Sequence, residues 1–155
     1  MEKFLENLTE AEKILQTADH MIYITFPLIK DKRLLFKILS ELNIAVTNII
    51  NSILHYEYIQ KHISLTNNAK TNFNTFVQNC CPKYNITSEE IMTIKELFDV
   101  MEKHKKSSFE FVKNEKIIIL SDNLRTETIS IEKTKEFLYL GKSLLRKMKD
   151  VIRRK

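Results

Sequence analysis

One glycine and two prolines in 155 residues constrain this chain more than any other feature. Glycine permits and proline forces abrupt changes of backbone direction, so a chain nearly lacking both has few places for the tight reversals of a strand-rich fold. Long helices follow. The length is that of one domain, and 43% hydrophobic residues can fill a core without disulfide or metal staples. The expected fold class is mainly α: a helical bundle of about five helices with a small β-ribbon near residues 109–129, all of residues 1–155 forming one domain.

Apolar periodicity locates the helices. Leu8, Ala11, Leu15, Ala18 and Ile22 recur at three- and four-residue steps, and Thr9 with Glu12 has capping-box spacing, so a first helix is expected to start near Thr9. Pro27 should stop or kink it near Phe26, with Lys30, Asp31 and Lys32 as the turn. The strongest pattern follows, in Leu35, Ile38, Leu39, Leu42, Val46, Ile49, Ile50 and Ile53. A helix from about Lys32 to Lys61 would be ~45 Å long, enough to be the spine of a bundle. Ile44 and Leu54 lie off its main stripe, which predicts burial on more than one side and suits a central or dimer-interface position. A short third helix carries Phe73, Phe76, Val77 and Cys80 and ends at Pro82, and a fourth begins at Thr87, where Glu90 repeats the capping-box spacing. The final helix has Phe137, Leu140, Leu144, Met148 and Val151 on one face. Gly141 falls inside that stripe, at a cost of roughly 1 kcal/mol against Ala, which points to a close helix crossing.

Residues 107–130 break the helical pattern. Phe109, Phe111 and the run Ile117 to Leu120 have strand character around a turn candidate at Lys113, Asn114, Glu115 and Lys116. Ser121, Asp122 and Asn123 form a second turn signal; Thr126 to Thr128 can pair as a third strand before Ser130 caps the last helix. An isolated ribbon is marginal, so this one must pack on the helices or on a partner.

Charge is localised. Residues 141–155 hold seven cations and one anion, a net of +6; the whole chain is +5, so the first 140 residues carry −1. At 100° per residue Lys135, Lys142, Arg146, Lys149 and Arg153 share one face of the final helix, roughly opposite its apolar stripe. Such a ridge can meet phosphates through salt-dependent, sequence-blind contacts, although solvated basic helix faces also look like this. Asn48 and Asn51, among the polar positions Asn43, Thr47 and Ser52 of the long helix, either set a helix–helix interface or face solvent.

Catalytic constellations are sparse. His20 has Asp19 beside it, but adjacent helical residues point about 100° apart, so Asp19 is badly placed to orient the ring; His20 and Tyr23 define at most a groove. His55 and His62 stand two turns apart, ~10 Å, too far to share a zinc without other ligands. Cys80 and Cys81 are adjacent and form neither a C-x-x-C motif nor a disulfide framework, which suits a reduced, cytoplasmic protein. With one glycine there is no Walker, dinucleotide or nucleophile-elbow loop. No catalytic residue, metal or cofactor is expected. The acidic N-terminus lacks a signal-peptide pattern, and the uncharged stretch Leu42 to Tyr56 is too short and too polar to span a bilayer, so no membrane partner is expected.

The stretches "LQTADHMIYITFPLIKDKRLL", "FEFVKNEKIIILSDN" and "TISIEK" resemble motifs of small uncharacterised archaeal helical-bundle proteins, a resemblance that spans most of the chain and implies no activity. More distantly the bundle resembles HEPN-type domains, helical proteins that act as RNases in toxin systems or as partners of nucleotidyltransferases. Their signature is an Arg followed, after four to six residues, by His. The residues five to seven positions before each histidine are Lys13, Ile14 and Leu15 for His20; Asn48, Ile49 and Ile50 for His55; His55, Tyr56 and Glu57 for His62; and Leu97, Phe98 and Asp99 for His104. None is Arg, so the resemblance implies the fold and not the nuclease. The expectation is a non-catalytic, cytoplasmic interaction module that associates with RNA or another nucleic acid through its basic last helix and forms a homodimer. The alternatives are a divergent HEPN-like RNase or toxin–antitoxin component, and a structural subunit of a complex with another protein.

Overall fold

The computed structural model describes residues 3–29, 31, 33–106, 109–113, 116–120 and 126–154; within residues 104–129 it describes backbone elements alone. The protein is a helical bundle. Helix α1 (Lys3–His20) begins well before Thr9, and the Thr9 to Glu12 spacing lies inside it rather than at its start. Tertiary contacts explain the earlier start. Phe4 packs edge-on against Tyr56, with ring centroids 5.1 Å apart. The buried Ser52 hydroxyl donates to the Phe4 carbonyl at 2.8 Å. These contacts order a turn that carries no capping signal of its own.

Proline 27 does not end the helix either. A π-helical turn (Met21–Thr25) follows α1 and leads directly into α2 (Phe26–Ile29), so the rod continues through Pro27. The Phe26 amide donates to the Met21 carbonyl, five residues back. A widened turn of this kind moves the carbonyl ladder away from the pyrrolidine ring, which otherwise clashes four residues back. Of the turn expected next, Lys30 and Lys32 lie outside the described residues, while Asp31 accepts from the Arg33 amide at 3.0 Å at the start of α3.

Helix α3 (Arg33–Ile59) is the axis of the molecule, with α1, α5 and α6 packed around it. Its stripe Leu35, Ile38, Leu42, Val46, Ile49 and Ile53 has no exposed surface. Each such side chain contributes roughly 1.5–3 kcal/mol through burial. Off that stripe Leu54 is buried, as a helix enclosed on several sides requires, whereas Ile44 is 44% exposed. Among the described residues α3 alone is long and apolar enough to cross a membrane, but here its apolar stripe fills the core.

The chain leaves α3 through Lys61, whose φ of 63° is left-handed. Helix α4 (Ala69–Thr75) is capped by the Asn68 side chain, which accepts from the Thr71 amide at 3.0 Å. It runs into a second π-helical turn (Phe76–Cys80). Helix α5 (Ser88–Lys106) starts with a reciprocal capping box: the Glu90 amide donates to Thr87 Oγ1 at 3.1 Å and the Thr87 amide to Glu90 Oε1 at 3.0 Å. Both orphan amides are satisfied locally.

Between α5 and α6 the backbone forms β1 (Phe109–Lys113), β2 (Lys116–Leu120) and β3 (Thr126–Ser130), an antiparallel sheet in that order. Phe109 pairs with Leu120 and Ile117 with Ile129. Asn114 and Glu115 of the first turn, and Ser121, Asp122 and Asn123 of the second, lie outside the described residues. Strand β3 passes into α6 (Ile131–Arg153) without a loop, because Ser130 both ends the strand and caps the helix, accepting from the Lys133 amide at 3.1 Å. Phe137, Leu144 and Met148 seat α6 in the core. A β-carbon on Gly141 would lie 2.7 Å from Leu15 Cδ2 of α1, the close crossing that the lone glycine predicts.

Candidate functional site

The crossing of α1 and α6 leaves a groove of about 440 Å³ beside it. Leu15 and Leu145 line its apolar part, and the basic face of α6 its rim. The sequence places Lys135, Lys142, Arg146, Lys149 and Arg153 on one face of α6; the structure separates them by partner. Lys149 donates to Glu12 Oε1 at 2.7 Å, and Lys142 pairs with Asp19, so α1 neutralises both. Lys135 stands over the Tyr23 ring, 5.2 Å from its centroid. Arg146 and Arg153 both line the groove, both are exposed, and neither has a carboxylate partner among the described residues. The ridge is therefore not a uniform positive stripe. With four cations and three anions (Glu12, Asp19 and Asp150) around the groove, its free positive charge is concentrated on two guanidinium groups.

His20 is exposed and lies outside this groove. Tyr23 is 39% exposed, and its hydroxyl is hydrogen-bonded to that of Tyr139 on α6. That bond, with burial second, pushes the Tyr23 hydroxyl up to about 12. A phenol so held is a poor base at neutral pH. Its position is explained as a clamp between the π-helical turn Met21–Thr25 and α6.

A second cluster lies at the C-terminal end of α3. Glu57 is 2% exposed, and its carboxylate accepts from Lys83 Nζ at 2.7 and 3.0 Å and from the Tyr84 hydroxyl at 3.3 Å. His62 Nδ1 lies 3.3 Å from both Glu57 Oε1 and Lys83 Nζ, so its tautomer decides whether it donates to the acid or accepts from the amine. Burial, reinforced by the Glu57 charge, raises the Tyr84 hydroxyl far above its usual range. The sequence gives little warning of this knot. Glu57 stands on the apolar side of α3, and a charged residue within such a stripe is the one available signal, since Lys83 and Tyr84 follow 26 and 27 residues later.

Burial also silences the thiols. Burial first, and the nearby Glu57 charge second, push Cys80 up to about 12. Burial and Glu90 push Cys81 up to about 11. Both remain protonated at neutral pH and are buried, unlike a nucleophilic cysteine. No group of three or more metal-ligating side chains occurs among the described residues.

The polar stripe of α3 divides as well. Ser52 is buried and satisfied by Phe4, and Asn48 is half-buried on its own face. Asn51 lines a separate groove between α3, α4 and α5, together with Asn43 and Thr47. The chain matches no family model, no curated protein and no solved structure.

Proposed function

We propose that this protein is a non-catalytic interaction module that binds RNA at the groove between α1 and α6. The observation that carries this reading is the pair Arg146 and Arg153. They stand two helical turns apart, exposed and without a carboxylate partner among the described residues, on a helix whose neighbouring Lys142 and Lys149 are held by α1. Guanidinium groups match phosphate oxygens bidentately and are weakly hydrated, so unpaired arginines at a groove rim suit a phosphate backbone. A HEPN-like helical scaffold without the arginine–histidine pair suits binding rather than cleavage. Among the described residues the outer edges of β1 and β3 pair with no further strand, which offers the same module a place for a protein partner to add one.

The test is binding of a single-stranded RNA at several salt concentrations. Two phosphate contacts give a slope of about −1.4 in log K against log salt; if the paired lysines also release their carboxylates to bind, the slope approaches about −2.8. Arg146→Glu with Arg153→Glu should abolish binding. Affinity unchanged by that double variant at low salt would refute the assignment.

The reading includes a homodimer. Ile24, Leu28 and Ile29 form an apolar tip on the α1–α2 rod, with Leu28 80% exposed, which supports self-association there. Light scattering at micromolar concentration should give twice the chain mass, reduced to one by Leu28→Asp. A monomeric mass for the unaltered protein would remove the dimer.

A further inference from the structure

The groove between α3, α4 and α5 is distinct from the one proposed for RNA phosphates. It encloses about 450 Å³, within the range of small-molecule clefts. One wall is the α3 stripe Asn43, Thr47 and Asn51, spaced by four residues and therefore on one face. Among the described residues none of these three side chains has a hydrogen-bond partner, whereas the neighbouring Ser52 does and Asn72 across the groove is tied to Thr66. The opposite wall is aromatic. Phe73 of α4 and Phe98 of α5 meet edge to face, with centroids 5.9 Å apart and planes at 64°, and Met101 stands beside them.

These two walls ask for different things of one ligand. Asparagine amides and a threonine hydroxyl each offer both a donor and an acceptor, so they complement an edge that also carries both. The stripe carries no formal charge, and the two charged residues that line the groove, Lys70 and Glu102, are of opposite sign, so the groove does not select an ion. Phenylalanine faces and a methionine thioether favour a flat, polarisable ring. A flat neutral ring with a donor–acceptor edge is a nucleobase, and the amide of Asn matches the N6 and N7 edge of adenine in particular. We infer that the α3–α4–α5 groove is a nucleobase-binding site, with Asn43, Thr47 and Asn51 reading the edge of an adenine-type purine and Phe73 and Phe98 packing on its ring.

The probe is adenosine, titrated into the full-length, isotopically labelled protein and followed by NMR. The side-chain amide signals of Asn43 and Asn51 should move saturably at submillimolar to millimolar adenosine, with uridine weaker. Asn43→Leu with Asn51→Leu should weaken adenosine binding at least tenfold, and Asn51→Ala alone should weaken it by less if the double variant folds poorly. Arg146→Glu with Arg153→Glu should leave it unchanged, which separates this site from the RNA groove. Absence of saturable shifts at either asparagine up to several millimolar adenosine would overturn the inference. So would full affinity retained by Asn51→Ala and by the double variant.

Discussion

Two acid–base clusters in this protein use the same chemistry in opposite solvents. At the end of α3, Glu57 is buried and bound by Lys83, Tyr84 and His62. Across the α1–α6 groove, Glu12 and Asp19 hold Lys149 and Lys142 near the surface, where the four side chains are 32–44% exposed. Taking a carboxylate out of water costs several kcal/mol, which is recovered only with good geometry and a full set of donors. Glu57 has that set, so its network is a structural commitment. The surface pairs exchange easily with solvent or with an incoming phosphate, because an exposed pair contributes only ~0–1 kcal/mol. Position decides which charges hold the fold and which are free to bind.

The contrast is broken most severely at Lys83. Lys83→Met takes the ammonium from the buried Glu57 carboxylate, with His62 still 3.3 Å away, and should cost about 3 kcal/mol, the low end for a buried pair because Lys83 is itself 38% exposed, read as a lower midpoint in urea denaturation. A loss below about 1 kcal/mol would mean that Glu57 reaches water and that the two clusters do not differ in kind.

Glu90 is the intermediate case and sharpens the comparison through pH. Burial pushes its carboxyl up, but hydrogen bonds from Lys147 and Ser143 of α6, with the Thr87 amide, outweigh burial and leave it below its ordinary value of 4.5. Ser143 Oγ donates to Glu90 Oε2 at 2.6 Å. A depressed folded pKa means stability that is present above about pH 4.5 and lost as pH falls through the folded value. Glu90→Gln should therefore cost about 1.5–3 kcal/mol at neutral pH, the scale of hydrogen bonds to a charged group. Denaturation from pH 7 down to 3 should show the two proteins converging in acid. A constant gap across that range would remove the charge from the explanation.

The smallest effect belongs to the surface pairs. Lys149→Ala and Lys142→Ala should each change stability by less than about 1 kcal/mol, an effect that salt diminishes further. Unfolding curves with and without 0.5 M salt test this. Salt-insensitive losses above about 2 kcal/mol would place these pairs with Glu57 instead.

Much of the fold is legible in local patterns, because those patterns are local physics. The α3 stripe, the Thr87 and Glu90 capping box and the Ser130 cap each depend on residues within one or two turns of one another. The start of α1 is not legible in this way. It is ordered by Ser52 and Tyr56, about fifty residues away, so the Thr9 signal misplaces it. Pro27 misleads for another reason: its clash is real, but a π-turn upstream absorbs it, and nothing local in Met21 to Thr25 announces that widening. The candidate site shows the same division. The shared face of the five α6 cations follows from helix geometry alone, yet which of them are free depends on Glu12 and Asp19, more than 120 residues earlier.

For this chain, then, residue order already dictates a helical, glycine-poor bundle with its positive charge gathered on the last helix, since helix periodicity and charge count need no partner. Only the packing of α1 against α6, which pairs Lys142 and Lys149, leaves Arg146 and Arg153 as the groove's cations without a carboxylate partner among the described residues, and only the meeting of α3 with Lys83 and Tyr84 makes Glu57 a buried anchor. Electrostatic worth depends on distance and solvent exposure, and both come into being when distant segments meet.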